Sequence, residues 1–167
     1  MDEALHQLRI AEKNDPISPQ LQFNLGWMLI SVGRNDEAAG YCNKLPADHP
    51  NRNMCLGRAL LDQGRTEETI RIFIKSADSG ARGFLGYAYA RSGRREDAEK
   101  LAIDLSPLGQ AVIFAGLGDK ERCLEALDRM AVVGPVRMGS ILGLPELALL
   151  RGDPRLKALR KRVGLPE

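Results

Sequence analysis

The sequence predicts an all-α fold made of stacked helical hairpins, and two recurring features carry that prediction. The first is a short segment that begins with glycine, has an acidic residue three positions on, and occurs four times. The second is a Leu-Gly pair whose glycine lies seven residues before each of the first three segments. The segments are Gly33–Ala38, Gly64–Thr69, Gly93–Ala98 and Gly118–Cys123. Self-similarity at intervals of 31, 29 and 25 residues indicates a helical repeat protein.

The sequence of each repeat predicts two helices, joined at the glycine that begins the recurring segment. Between the Leu-Gly pair and that glycine, apolar residues such as Leu25 and Leu29 recur with a helical period. The glycine can adopt a positive φ and end the first helix. Asn35 and Thr66 are expected to cap the second helix, and the acidic residues beside them favour the positive end of its dipole.

The glycines of the Leu-Gly pairs fall inside the first helix, where glycine costs about 1 kcal/mol relative to alanine. A helix accepts that cost where a neighbouring backbone must come close. The glycines are Gly26, Gly57 and Gly86, and the small residues expected opposite them on the second helix are Ala38, Thr69 and Ala98. The pattern therefore predicts tight hairpins.

This pattern resembles the tetratricopeptide repeat, a family with about 34 residues per unit, Leu-Gly in the first helix, glycine at the turn and a closing proline. Pro16 and Pro50 stand where closing prolines belong. The resemblance implies a right-handed α–α superhelix that binds proteins. The chain departs from the family in its short intervals, in Gln22 where an early tryptophan is usual, and in Gln110-Ala111 where the fourth Leu-Gly pair would stand.

The same comparison divides the chain into three parts. Residues 1–16 match the second helix of a truncated repeat, residues 17–134 hold three to four hairpins, and residues 135–167 form a helical cap. A lone second helix cannot bury its apolar stripe. We therefore expect the chain to be the C-terminal part of a longer protein; the alternative is that it begins here and its first helix is a cap.

The C-terminal segment predicts a last helix with Asp153 as its N-cap and Leu156, Leu159 and Val163 facing inward. Its basic face is interpreted as a solvated capping surface. The segment is similar to the ends of bacterial regulators that carry tetratricopeptide arrays behind a winged-helix, cyclase or kinase domain. That similarity implies a regulatory or docking role beside an upstream effector domain.

Composition excludes several functions. The formal charge of +2 gives no basis for nucleic-acid binding, and no apolar run approaches the roughly 20 residues of a membrane span. The three cysteines, Cys42, Cys55 and Cys123, are odd in number and widely spaced. We expect them to be free in a reducing, cytoplasmic environment, with Cys42 and Cys123 in the core.

No pattern of catalytic or metal-binding residues is present in the sequence. His6 and His49 are the only histidines, and there is no CxxC, GxSxG or phosphate-binding loop. A Cys55–His49 pair is conceivable, but the repeat frame explains both residues better. The sequence therefore predicts a protein that is not an enzyme and that uses no cofactor or metal.

The resemblance implies a partner groove lined by the first helix of each unit. The residues at the groove positions are Phe23, Trp27, Met54, Arg58, Tyr87 and Arg91. They predict apolar contacts, with Arg58 and Arg91 exposed to receive acidic groups or a terminal carboxylate of a protein or peptide. Phe23 and Trp27 are equally consistent with packing against a neighbouring helix. Two further hypotheses are a small-ligand pocket and self-association as a homodimer.

Overall fold

The computed structural model describes residues 2–76 and 79–165, and these ranges form helices and no strand. The predicted all-α fold is confirmed. The α-helices are α1 (Asp2–Asn14), α2 (Pro19–Ser31), α3 (Asn35–Lys44), α4 (Arg52–Asp62), α5 (Thr66–Ile74), α6 (Ser79–Arg91), α7 (Arg95–Ala102), α8 (Pro107–Gly116), α9 (Lys120–Asp128), α10 (Pro135–Leu142) and α11 (Pro154–Arg162). Two 3₁₀ helices, Ala131–Val133 and Pro145–Leu150, flank α10. Within the described ranges, no helix has both the length and the apolar character that a bilayer crossing requires.

The chain divides into two compact units, residues 1–81 and 82–167. In the first unit each helix from α1 to α5 packs against the next, and α2 also packs against α4. Leu5, Leu25, Leu29, Ile30 and Ala38 form one of its apolar clusters. This alternation of neighbours is that of hairpins placed side by side, with the first helices α2 and α4 in contact.

The repeated glycines end the first helix of each hairpin. Gly33, Gly64, Gly93 and Gly118 have φ of 76°, 76°, 80° and 74°, a region that side chains with a Cβ rarely occupy. The residue after each glycine donates its N–H to the carbonyl five positions back, as Arg34 does to Leu29 at 2.9 Å. This is the helix-ending arrangement that glycine favours, and it confirms the predicted turns.

The predicted caps are wrong. Asn35 and Thr66 are the first residues of α3 and α5, and the cap positions before them are Arg34 and Arg65, whose side chains make no capping hydrogen bond. Each arginine instead pairs with the acidic residue three positions on, as Arg65 Nη2 does with Glu68 at 2.7 Å. The helix start is thus held by an ion pair across its first turn.

The glycines inside the first helices lie in close contact with side chains of neighbouring helices, whereas the close approach of a neighbouring backbone was expected. A Cβ added to Gly26 would lie 2.8 Å from Cys55 Sγ, and one added to Gly57 would lie 2.4 Å from Phe73 Cε1. The nearest neighbours are these larger side chains, whereas the small residue was expected. Thr69 still closes on the Gly57 backbone, because its hydroxyl donates to the Gly57 carbonyl at 3.2 Å.

The second unit has a core built by α8, α9 and the segment after them. Leu124, Leu127, Met138, Leu150 and Leu159 belong to one buried cluster. Asp153 caps α11 by accepting the N–H of Arg155 at 2.9 Å, as predicted. Leu159 and Val163 face inward, which was also predicted.

An ion-pair network joins α7 to the start of α9 in the second unit. Arg122 donates to both carboxylate oxygens of Glu99 at 2.7 and 2.8 Å, and to Asp119 at 2.7 Å. Its guanidinium lies 4.3 Å from the centre of the Phe114 ring. Hydrogen bonds from the Arg122 side chain lower the pKa of Glu99, and the Arg122 backbone N–H, followed by its side chain, lowers the pKa of Asp119.

Replacing Arg122→Met is expected to lower the free energy of unfolding at pH 7 by at most about 1 kcal/mol, because roughly a third of each partner is exposed and solvent screens the pair. Carboxylates with lowered folded pKa values stabilise the fold above their unfolded values, near pH 4, and this contribution is lost as the pH falls through the folded values. The difference in the free energy of unfolding between wild type and variant should therefore be smaller at about pH 2.5 than at pH 7. Urea unfolding at both pH values measures it, with exposed Arg151→Met as the control.

Candidate binding groove

Helix α1 is fixed to the first unit on two sides. Leu5 is buried in the cluster shared with α2, and Arg9 pairs with Glu37 of α3 at 3.1 Å. The Tyr41 hydroxyl donates to Glu12 of α1 at 2.8 Å. Burial, together with this hydrogen bond, raises the pKa of Tyr41. Helix α1 is therefore fixed in position against α2 and α3.

An open groove of about 520 Å³ lies between α1 and α2. The side chains that line it are mainly apolar, and none carries a charge. They are Ala4, Gln7 and Leu8 of α1, and Phe23, Asn24, Trp27 and Met28 of α2. We call this surface the α1–α2 groove.

Phe23 and Trp27 form the aromatic wall of the groove. Their ring centroids are 5.7 Å apart. Phe23 also packs on the cluster of Cys42, Leu45 and Cys55, and the Trp27 ring lies 4.6 Å from the guanidinium of Arg58. Both aromatic residues are half-buried. Both residues therefore pack within their own unit and also line the α1–α2 groove, and their part in partner binding stays a prediction.

The other predicted groove residues are placed differently. Arg58 was expected to be exposed, and this is wrong: it is 2% exposed, because Trp27 of α2 lies over it. Met54 is also buried, at 8%. Tyr87 and Arg91 belong to the second unit, where Tyr87 is half-buried and Arg91 is exposed, as was predicted for that arginine. Their part in partner binding remains a prediction.

Five lining residues were missed by the sequence analysis. They are Ala4, Gln7, Leu8, Asn24 and Met28. The signal for the α1 residues was present, because Asp2-Glu3-Ala4 repeats Asp36-Glu37-Ala38 of α3. That match places Ala4 and Leu8 at positions that face the first helices of the hairpins.

A disulfide joins Cys42 of α3 to Cys55 of α4, with their Cα atoms 5.5 Å apart. The prediction of three free cysteines is therefore wrong for this pair, because α3 and α4 are packed neighbours whose facing residues meet. Cys123 is the free cysteine, and burial raises the pKa of its thiol to about 12. Both predicted core positions, Cys42 and Cys123, are buried.

The disulfide also bears on the conceivable Cys55–His49 pair. Cys55 has no thiol to act as a nucleophile while it is bonded to Cys42. His49 instead accepts the N–H of Asn51 through Nδ1 at 3.2 Å, and its ring centroid lies 6.3 Å from that of Phe23. These contacts give His49 a structural role in the loop between α3 and α4.

A second cavity of about 410 Å³ lies between α9 and α11 in the second unit. Its walls are charged, and the charges pair with one another: Arg155 with Glu121, and Arg162 with Asp128 at 2.7 Å. These ion pairs are already formed and exposed to solvent. A ligand in this cavity would therefore gain little binding energy beyond what water already provides. Across the residues that the structure describes, no three His, Cys, Asp or Glu side chains are grouped as a metal site.

Helical hairpins that pack side by side define a repeat protein of the all-α class. Family models for the tetratricopeptide repeat match residues 1–53 and 79–102. Both stretches are tetratricopeptide repeats, and the resemblance predicted from the sequence is confirmed there. Repeats of this family generally mediate protein–protein interaction. A comparison with curated proteins finds no significant match.

Proposed function

We propose that this chain is a non-catalytic module that binds a protein or peptide partner in the α1–α2 groove. The observation that carries the proposal is the half-buried pair Phe23 and Trp27, which lines an open, uncharged groove. Aromatic residues contribute much of the binding energy at protein interfaces, and a preformed wall loses little side-chain entropy on binding.

We further propose that the chain serves as the regulatory or docking part of a larger bacterial regulator. The support is the similarity of the C-terminal segment to the ends of such regulators, with residues 17–134 as the array and 135–167 as its cap. The partner is then a separate protein or the regulator's own effector domain. A cytoplasmic location loses the support of free cysteines, because two of the three are bonded.

Replacing Trp27→Ala is expected to weaken partner binding by about 30-fold or more, which corresponds to the roughly 2 kcal/mol of an interface hot spot. The partner is identified by crosslinking in the source cells, and its dissociation constant is then measured by calorimetry. Tyr89→Ala is the matched control, because it removes another half-buried aromatic ring that packs beside Arg94 in the second unit. An unchanged dissociation constant for Trp27→Ala would contradict the proposal.

A small-ligand sensor is the second candidate, since the volume of the groove, about 520 Å³, falls within the usual range for such sites. Thermal shift against a metabolite panel tests it. A ligand at 100 times its dissociation constant adds about 2.7 kcal/mol to the free energy of unfolding.

A further inference from the structure

The α1–α2 groove is exposed, whereas the equivalent surface on α3 and α4 of the same unit is covered by another helix. Matching Asp2-Glu3-Ala4 to Asp36-Glu37-Ala38 aligns α1 with α3, and matching the Leu-Gly pairs aligns α2 with α4. The groove residue Gln7 then corresponds to half-buried Tyr41. The six others, Ala4, Leu8, Phe23, Asn24, Trp27 and Met28, correspond to Ala38, Cys42, Met54, Cys55, Arg58 and Ala59. All six counterparts are buried, each at 8% exposure or less.

Helix α2 is the element that covers the α3–α4 surface. Gly26 sits so close that an added Cβ would lie 3.1 Å from Cys42 Sγ and 2.8 Å from Cys55 Sγ. Phe23 packs on the same two cysteines, and Trp27 lies over Arg58. The covering face is therefore an apolar residue, a small residue three positions on, and a second apolar residue next to it.

The groove therefore has the shape of a seat for one more helix. We infer that the α1–α2 groove binds a single α-helix of a partner protein, placed on α1 and α2 as α2 is placed on α3 and α4. This inference rests on the proposed function and names its partner class. The bound helix would continue the row that α4 and α2 already form, so its interface adjoins one that the fold contains.

Charge and size restrict the partner helix. The groove is lined without charges, and α2, which covers the equivalent surface, contains no Asp, Glu, Lys or Arg. Close seating at the central position requires glycine, since a Cβ at the equivalent Gly26 would lie only 2.8 Å from Cys55 Sγ. The partner segment is an amphipathic helix whose binding face is uncharged, with apolar residues four apart and a small residue between them.

The test uses the full chain, with Trp27 as its only tryptophan and hence its optical reporter. The probe is a peptide copy of residues 17–35 with Trp27→Phe and two added C-terminal lysines for solubility. In a second arm the same residues, also with Trp27→Phe, are fused directly before Asp2, where the Asp-Glu-Ala match places them in register. We expect a saturable 1:1 shift of Trp27 emission with a dissociation constant of ~100 µM or below. The fusion should raise Tm and show the shift without added peptide.

Two variants locate the binding. Ala4→Glu places a carboxylate in the groove at an exposed position and should abolish both effects while Tm of the unfused chain is kept. Ala47→Glu makes the same change on the exposed loop after α3 and should leave both effects intact. Equal binding by the Ala4→Glu chain would overturn the inference, because the helix would then lie elsewhere.

The remaining outcomes separate this inference from the proposed function. A peptide that also carries Leu29→Pro cannot form the full helix; if it binds as well as its parent, the helical seat is wrong and the groove function stands. If neither the peptide nor the fusion alters Trp27 emission, the helical seat is wrong, and the crosslinked partner of the Trp27→Ala experiment decides the function. A dimer by sedimentation that Ala4→Glu dissociates would show that a second copy fills the groove, which also overturns the inference.

Discussion

Replacing Phe73→Ala is expected to lower the free energy of unfolding by about 3–5 kcal/mol, the usual cost of emptying a buried aromatic site. The ring is 2% exposed and lies against the backbone of α4 at Gly57. Urea unfolding followed by Trp27 emission measures the loss, because both residues belong to the first unit. Ile74→Ala, at a neighbouring residue that is 59% exposed, is the control and should cost less than about 1 kcal/mol.

The contact between Gly57 and Phe73 makes the effect of a second substitution depend on the first. In the wild type, Gly57→Ala is expected to destabilise by about 1–3 kcal/mol, because the new methyl group meets the buried ring and overpacking outweighs the gain in helix propensity. In the Phe73→Ala background the same change should stabilise, since the obstacle is gone. Gly40→Ala, at an exposed helical position with nothing nearby, should stabilise by up to about 1 kcal/mol in either background. Additive effects of the two changes would contradict the contact.

Reducing the Cys42–Cys55 disulfide is expected to lower the free energy of unfolding by about 3 kcal/mol. The bond closes a loop across a sequence separation of 13 residues, and such a crosslink removes conformational freedom from the unfolded chain. Unfolding with and without a reductant measures the difference. Thiol titration of the unfolded chain should find one reactive group before reduction and three after it.

Two variants test the assignment of that bond. The double change Cys42→Ala and Cys55→Ala should make stability independent of reductant, whereas Cys123→Ala should leave the dependence in place. Three reactive thiols before reduction would show that the chain carries no disulfide and would restore the original expectation of a reducing environment.

Local features of the fold could be predicted from the sequence because each depends on residues that lie close together in the chain. Gly33 and its three counterparts end helices by a backbone conformation that glycine alone adopts freely, so recurrence of the residue predicted recurrence of the turn. Asp153 caps α11 through a hydrogen bond two residues away. Phe23 and Trp27 were singled out by their spacing from Leu25-Gly26 and line the α1–α2 groove, although the predicted groove ran along the first helices of the units.

Features that depend on packing between helices could not be predicted from the sequence. Arg58 occupies a position that is typically exposed, and its burial follows from Trp27, a residue 31 positions earlier in the chain. The meeting of Cys42 and Cys55 depends on how α3 lies beside α4. The caps failed for a different reason: Asn35 and Thr66 stand one residue past the cap position, inside their helices.

The disulfide also determines what a break in the chain would do. Between α3 and α4 the residues Pro46, Ala47 and Asp48 are exposed, and the loop that holds them lies between the two bonded cysteines. A protease that cuts there separates the polypeptide into two pieces without separating the molecule. The helices that form the groove would stay attached to the rest of the array, and the cut would become visible only when a reductant released the fragments.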